Sequence, residues 1–331
     1  MVTIKDVARD AGVSVGTVSN VLNGGRVSEA RRKLVEASIE KLGYQVNTLA
    51  KGMRMQKTDY VVVILPNLIN PYFALLLDAL ESELSAVGKQ VLLCLSGDDA
   101  EREVAFMDMA KQNKVDGIIG VTYSKVEEER IENMAFVSID RHYKSHIPCV
   151  AGDNWQGGWL AAENLHKRGS TNLLCFMTMS SVDSEVRKRR VGFTEYCMEH
   201  DLSCNSVEMS EKQIVSVYES YGSRKLIHNM LRAYISPSMG EHSIDGIFTS
   251  SDHLATIVRE ELEEMGKRVP EDIQIIGYDG LQFLNQGKPI VSSIAQPVHE
   301  IAKEAVRCLN ELIANGKTEG NTKIPVSFQE G

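Results

Sequence analysis

The 331-residue chain lacks the segments that mark secreted and membrane proteins. Its first residues contain no basic stretch followed by an apolar one, so the sequence predicts no secretory signal. The longest apolar run, Tyr60–Leu65, is much shorter than the roughly 20 residues that cross a bilayer. These absences predict a cytoplasmic protein that does not contact a membrane.

The chain also lacks the residue clusters that hold metals or disulfides. Its six cysteines are scattered, without a C-x-x-C pair and without histidines at zinc-ligand spacing. Free thiols in a reducing compartment are the simplest explanation, and no metal or cofactor is expected. Because a phosphate-binding Walker loop is missing as well, the sequence predicts no catalytic residues and no enzyme.

The charge is unevenly distributed along the chain. Residues 1–58 contain 10 basic and 5 acidic side chains, whereas residues 59–331 contain 26 basic and 40 acidic ones. The two parts therefore have net charges of +5 and −14. A basic head on an acidic body predicts that the head alone meets a polyanion.

The basic head has the apolar spacing of three short helices over residues 3–44. Gly12 ends the first helix, since glycine readily takes the left-handed conformation of a sharp turn. Ser14 and Ser28 are placed to cap the second and third helices, and Gly43 ends the third. This order is typical of a helix-turn-helix unit.

The body alternates apolar runs with amphipathic stretches. Continuous apolar runs are typical of parallel strands that are covered on both faces. The predicted strands are 61–65, 91–95, 117–121, 136–139, 173–177, 244–249 and 273–278, and the predicted helices are 72–87, 155–168, 187–199, 253–265 and 298–314. The fold class is therefore α/β, with a doubly wound parallel-sheet body of two subdomains behind a small all-α head.

In a helix-turn-helix, the second helix enters the major groove with its first residues towards the bases. Hydroxyl groups and free amides at helix starts suit phosphate oxygens, which Thr3, Ser14, Thr17 and Ser19 can supply. The side chains predicted to face the bases are those of Val15, Gly16 and Asn20. A helical bundle that binds another protein is the alternative, but the net charge of +5 favours DNA.

Several motifs resemble those of the LacI/GalR family of transcriptional regulators. They are T-I-K-D-V-A-R-x-A-G-V-S at 3–14, T-V-S-x-V-L-N at 17–23, K-L-G-Y at 41–44, N-P-Y-F at 70–73, V-D-G-I-I at 115–119, D-N at 153–154, R-x-x-G-F at 189–193 and V-P-E-D-I-x-I-I-G-Y-D at 269–279. The resemblance spans the chain. It implies a helix-turn-helix domain at 1–46, a hinge helix and linker at 47–58, and an effector-binding and dimerisation domain at 59–331 that resembles type I periplasmic binding proteins.

The resemblance implies a homodimeric repressor that binds pseudo-palindromic operator DNA under the control of a small ligand. It adds Asn23, Asn47, Lys51 and Met53 to the DNA-binding residues, with Met53 as the apolar wedge in the minor groove. The chain departs from the family pattern at Asn20, where arginine is frequent, and Asn20 suits pairing with adenine. Gly52 and Met53 weaken the hinge, and Glu330 stands in a terminal strand that usually carries arginine.

Ligands of open α/β sheets bind beyond the carboxyl ends of the strands. The residues predicted there combine carboxylates, amides, guanidinium groups and aromatic rings, which suit a polyol. They are Asn67, Asn70, Tyr72, Phe73, Asp140, Arg141, Arg189, Asp252, Asp279 and Gln296. Several of these positions also have a structural alternative: Asp252 and Gln296 can act as caps, and Tyr72 and Phe73 can be core residues at a helix start. For the Asp153-Asn154 pair, which matches a family motif, capping of the following helix is an equal alternative.

Besides an enzyme, two function classes follow from these features, a DNA-binding regulator and a sugar-binding protein. The favoured one is a DNA-binding repressor whose effector is a sugar. A purine or a phosphorylated partner protein is an alternative effector. A sugar-binding protein without a regulatory role is disfavoured, because the basic head would then have no purpose.

Overall fold

The computed structural model describes residues 2–22, 24–44, 58–125, 130–131, 134–143, 147–179, 182–210, 221–235, 243–282, 287, 289–318 and 320–331. The chain divides into two compact units, Met1–Thr58 and Asp59–Gly331. In the described part of the chain, no helix is long and apolar enough to cross a membrane.

The first unit consists of the three predicted helices, α1 (Ile4–Asp10), α2 (Val15–Leu22) and α3 (Glu29–Leu42). Their apolar faces meet in a small core, and an ion pair of 2.7 Å between Lys41 and Asp10 joins α3 to the end of α1. Local signals set the helix ends. The amide of Thr17 donates to Ser14 Oγ over 3.1 Å, and Gly12 and Gly43 have φ angles of +63° and +60°.

The second unit contains twelve described strands and seven described helices. In chain order they are β1 (Tyr60–Leu65), α4 (Pro71–Ala86), β2 (Gln90–Leu95), α5 (Ala100–Gln112), β3 (Gly117–Gly120), β4 (Phe136–Ile139), β5 (Cys149–Gly152), α6 (Asn154–Lys167), β6 (Asn172–Met179), α7 (Arg187–Glu199), β7 (Ser203–Ser210), α8 (Tyr221–Ile235), β8 (Gly246–Thr249), α9 (Asp252–Glu264), β9 (Gln274–Asp279), β10 (Ser292–Ala295), α10 (Val298–Asn315), β11 (Thr322–Ile324) and β12 (Ser327–Gln329).

The strands form two six-stranded sheets, one for each subdomain. The orders are β11-β5-β4-β3-β1-β2 and β12-β10-β9-β8-β6-β7. Every pair is parallel except β10 with β12. The α/β prediction with a doubly wound body of two subdomains is therefore confirmed.

The chain passes between the subdomains three times, after β5, after β10 and after β11. Because of these passages, α10 and β11 complete the first subdomain although they lie near the end of the sequence. The last strand, β12, returns to the second sheet. The carboxyl ends of both sets of parallel strands thereby meet at one cleft.

Candidate functional site

The cleft between the two sheets contains a cavity that is lined from both subdomains. The first subdomain contributes residues that follow β1, β3 and β4, and the second contributes residues at the ends of β6, β8 and β9 and at the start of α7. The lining residues are Asn67, Asn70, Tyr72, Phe73, Tyr123, Asp140, Thr178, Val186, Arg189, Ser250, Ser251, Asp279 and Gln296. The strand-end rule thus located the cavity.

Eight of the ten residues predicted for the cleft line this cavity. They are Asn67, Asn70, Tyr72, Phe73, Asp140, Arg189, Asp279 and Gln296. Arg141 and Asp252 do not line the cavity. Both are buried, and each is next in the sequence to a lining residue, Asp140 or Ser251. For these two positions the structure shows bonds within the protein.

Arg141 binds the loop after β3. Its Nη1 donates to the carbonyl of Ser124 over 2.7 Å and to Thr122 Oγ1 over 3.2 Å. Its guanidinium also lies 4.4 Å from the ring centroid of Tyr143. The side chain of Arg141 therefore joins the segments that follow β3 and β4 and does not line the cavity.

Asp252 holds the turn after β9. One carboxylate oxygen accepts from the amide of Leu281 over 2.7 Å, and the other accepts from Ser293 Oγ over 2.5 Å. The residue that caps α9 is Ser251 and not Asp252, because Ser251 Oγ accepts from the amide of Leu254. Asp252 therefore supports the loop that carries Asp279.

The Asp153-Asn154 pair divides its roles. Asp153 caps α6 by accepting from the amide of Gln156 over 3.0 Å, as one of the two interpretations predicted. Asn154 is fully buried and contacts the cleft residues instead. Its Nδ2 donates to the carbonyl of Gly152 over 3.0 Å and lies 3.5 Å from Asp140 Oδ1.

Arg189 is the cation of the cavity. Its Nε donates to Asn154 Oδ1 over 2.6 Å and its Nη1 donates to the carbonyl of Ser250 over 2.6 Å. The guanidinium lies over the ring of Tyr278, with 3.6 Å between Cζ and the ring centroid. These contacts fix the plane of the guanidinium from three sides, so that it is pre-oriented for a ligand.

Two carboxyl groups flank this cation, one from each subdomain. Burial raises the pKa of Asp140 to about 6 and that of Asp279 to about 7, although Arg189 opposes both shifts. Both residues have positive φ angles, +61° for Asp140 and +120° for Asp279, and residues other than glycine rarely adopt such values. Such strain is concentrated at functional sites, where the surrounding structure holds it.

Some buried polar atoms of the cavity have no hydrogen-bond partner among the described residues. They are the hydroxyl of Tyr72, Oδ2 of Asp279 and Oε1 of Gln296. The other carboxylate oxygen of Asp279 accepts from Gln296 Nε2 over 2.9 Å. Because unpaired buried polar atoms are costly, these three groups are suited to a ligand with several hydroxyl groups.

Five lining residues were not predicted from the sequence. Tyr123 follows β3, and Ser250 and Ser251 follow β8, so the strand-end rule applied more widely would have included them. Thr178 lies within the end of β6, where its hydroxyl is 2.9 Å from that of Ser250. Val186, just before α7, offers no sequence signal of this kind.

On the first unit, the predicted base-facing residues of α2 are exposed. Val15, Gly16 and Asn20 are accessible, whereas Val18 and Val21 on the opposite side are buried in the core. Ser14 is exposed and bonds Thr17 at the helix start, and Thr3 is exposed at the start of α1. Asn23, Asn47, Lys51 and Met53 lie outside the described residues.

Residues 12–16 also fit the G-x-S-x-G pattern, which in hydrolases places a nucleophilic serine between a strand and a helix. Here Ser14 lies between two helices, and its Oγ accepts from the amide of Thr17 as a helix cap. The context that this chemistry needs is therefore missing around Ser14.

Comparisons with known proteins agree with both units. Residues 3–47 match the model for bacterial regulatory proteins of the lacI family, and residues 162–330 match that for a periplasmic binding protein-like domain. The sucrose operon repressor of Pediococcus pentosaceus is 32% identical, over 99% of this chain and 98% of that protein.

Two solved structures are similar across both subdomains. A LacI-type regulator from Alkaliphilus metalliredigens in complex with D-xylulofuranose is 26% identical, with a TM-score of 0.70 over 82% of this chain and 97% of its own. The lac repressor dimer bound to operator and the anti-inducer ONPF is 22% identical, with a TM-score of 0.81 over 99% of this chain and 98% of its own. The motifs, the fold and the full-length likeness place this chain in the LacI family: it is a DNA-binding transcriptional regulator with a ligand-binding body, and not an enzyme.

Proposed function

We propose that the protein is a repressor that binds pseudo-palindromic operator DNA as a homodimer. A sugar controls its affinity for this DNA. The observation that carries the sugar assignment is the set of polar groups in the cleft. The buried Arg189 lies near Asp140 and Asp279, and unpartnered oxygen atoms face the same cavity. A guanidinium and carboxylates together can bind vicinal hydroxyl groups, so the ligand itself need not be charged.

The proposed division of the chain is a helix-turn-helix domain at 1–46, a hinge at 47–58 and an effector-binding body at 59–331. Each recognition helix α2 occupies a major groove, with Val15, Gly16 and Asn20 towards the bases and Thr3, Ser14, Thr17 and Ser19 towards phosphates. Asn23, Asn47, Lys51 and Met53 complete the DNA contacts, with Met53 in the central minor groove. The protein acts in the cytoplasm, where its six free thiols stay reduced.

The cleft supplies the control. A sugar that contacts both subdomains favours their closed arrangement, because its hydroxyl groups join Asp140 of the first to Asp279 and Arg189 of the second. The effector therefore shifts an equilibrium between two states by its difference in affinity for them. A coupling of about 1–3 kcal/mol is typical of such control.

A thermal-shift screen of the full-length protein tests the effector class. The panel contains sucrose, D-ribose and other mono- and disaccharides, together with adenine, guanine and hypoxanthine. A ligand of the folded state raises its apparent stability, by about 2.7 kcal/mol at a concentration of 100 Kd. A shift with a purine and none with any sugar would contradict the sugar assignment.

Fluorescence anisotropy tests the DNA partner. Duplexes selected by the protein from a random pool are expected to be palindromic and to bind more tightly than random DNA at about 150 mM salt, where non-specific binding is weak. Equal affinity for selected and random duplexes would contradict the proposal that the protein is a repressor.

A further inference from the structure

A buried lysine lies at the edge of the first sheet that is opposite to the cleft. Lys89 precedes β2, and its side chain is only 7% exposed. Its ammonium group pairs with the carboxylate of Asp116, which is 2% exposed and precedes β3, and lies 3.4 Å from Oδ1 of Asp59. We call Lys89, Asp116 and Asp59 the lysine clamp.

The lysine clamp joins the amino ends of three neighbouring strands. Asp59 precedes β1, which lies between β2 and β3. The amide of Asp59 donates to Asp116 Oδ2 over 3.3 Å, and the carbonyl of Asp59 accepts from the amide of Gln90 over 2.7 Å. Asp59 therefore has both backbone groups and its side chain bonded to the strands on either side.

Asp59 is held in an unusual conformation. Its φ angle is +60°, a left-handed value that aspartate tolerates better than most residues but that still needs support from its surroundings. It is also the first residue of the body, since the other compact unit ends at Thr58. The bonds of the lysine clamp thus fix the backbone of the residue at which the body begins.

Two of these three strands, β1 and β3, are followed by cleft residues at their other ends. Asn67 and Asn70 follow β1, and Tyr123 follows β3. Six residues of extended strand rise about 20 Å, so β1 runs from Asp59 to the cleft.

We propose that Lys89 is a positioning residue for operator binding: through Asp59 and Asp116 it fixes the point at which the linker leaves the body, so that the two heads of a dimer reach their half-sites together. The proposal rests on the proposed dimeric repressor. Specific binding needs both heads in register, whereas non-specific binding depends on phosphate contacts and tolerates a displaced head.

The test compares full-length Lys89→Met with the wild type by fluorescence anisotropy. The probes are a palindromic duplex selected by the wild type from a random pool and a random duplex of equal length. The Kd for the selected duplex is expected to rise about tenfold, within the range typical of coupling between sites. The Kd for the random duplex should change by less than about twofold, because its phosphate contacts are retained.

Two further variants keep the result decisive. Lys89→Arg keeps the charge and should restore specific binding to near the wild-type value. Asp59→Asn removes one partner of Lys89 but keeps a residue that tolerates positive φ, so it should fold and weaken specific binding in the same direction.

Unchanged specific binding in Lys89→Met overturns the proposal. An equal loss for both duplexes also overturns it, because a smaller folded fraction weakens all binding alike. If Lys89→Met does not fold, Asp59→Asn decides, and wild-type specificity in that variant overturns the proposal. A wild type that prefers no selected duplex refutes the proposed repressor function instead, which separates the two failures.

Discussion

The guanidinium of Arg189 lies 3.6 Å from the ring centroid of Tyr278 in the floor of the cleft. A cation over an aromatic face gains electrostatic attraction, and more so where water is excluded. Asn154 and the carbonyl of Ser250 hold the same guanidinium from its edges. Arg189 is thus fixed before a ligand arrives, and its removal should affect both ligand binding and stability.

Replacing Arg189 with methionine is expected to abolish the thermal shift caused by the sugar found in the screen. It should also lower the free energy of unfolding by about 3 kcal/mol, because buried partners lose their cation. Arg190→Met is the matched control, since Arg190 is the next residue of α7 and pairs with Glu208 at the surface. The control should stay within about 0.5 kcal/mol of the wild type in urea unfolding. If the sugar raises the melting temperature of both variants equally, Arg189 is not part of the ligand site.

The stability that Asp140 and Asp279 contribute to the ligand-free protein should fall as the pH rises from about 4 to about 7. Burial raises the pKa values of Asp140 and Asp279 to about 6 and about 7, from an ordinary value of 3.8, so the native state binds these protons more tightly than the unfolded state. The stabilisation is complete below pH 4 and is lost as the pH passes the raised values. Asp279→Asn should flatten the slope by about 1 kcal/mol per pH unit in urea unfolding series. The same slope in variant and wild type would contradict the assignment.

Gly158→Ala should destabilise the body and weaken sugar binding together. A Cβ at Gly158 would collide with the carbonyl oxygen of Arg189 and lie 2.9 Å from the amide nitrogen of Phe193, so α6 and α7 must separate. The cost is expected to be about 1–3 kcal/mol, and the displaced α7 carries Arg189 with it. Gly320→Ala is the control, because a Cβ there meets nothing within 4 Å. Calorimetric titration and thermal melting of both variants provide the measurement, and full sugar affinity in Gly158→Ala would contradict the prediction.

Asn20→Ala should reduce the sequence preference of the head without reducing its stability. Asn20 is exposed on α2, and a bidentate pair with adenine discriminates by about 1–3 kcal/mol. Selection from a random pool should therefore show a relaxed preference at one position of each half-site. The melting temperature and the affinity for random DNA should match the wild type. An unchanged selected sequence would exclude Asn20 from base contact.

Most of the fold was predictable because its signals are local. The seven predicted strands are mostly continuous apolar runs, and all of them occur in the structure within a few residues of the expected bounds. Six of them are largely buried, whereas β2 is partly exposed at the edge of its sheet. The strands that were missed have weak patterns. β7 is a largely exposed edge strand of polar residues, and β5, β11 and β12 have only three or four residues each. Pairing with a neighbour, and not their own composition, makes these segments strands.

The cleft was predictable to a lesser degree. Strand ends identify which residues lie near the cavity, and this rule found Asp140, Asp279 and Arg189. It does not distinguish a side chain that faces the cavity from one that is bonded to a neighbouring loop. Arg141 and Asp252 belong to the second kind, and their partners are separated from them by up to 41 residues.

The sequence by itself determined the family, the division into a basic head and an acidic body, and the helix ends of the head. These properties depend on residue order, on charge and on contacts between residues a few positions apart. The tertiary structure alone decided which polar groups remain unpartnered in the cleft, which carboxyls are buried enough to hold protons near neutral pH, and that Lys89 joins three strand ends. Burial and pairing between distant segments are collective properties of the packed chain, so no local pattern in the sequence records them.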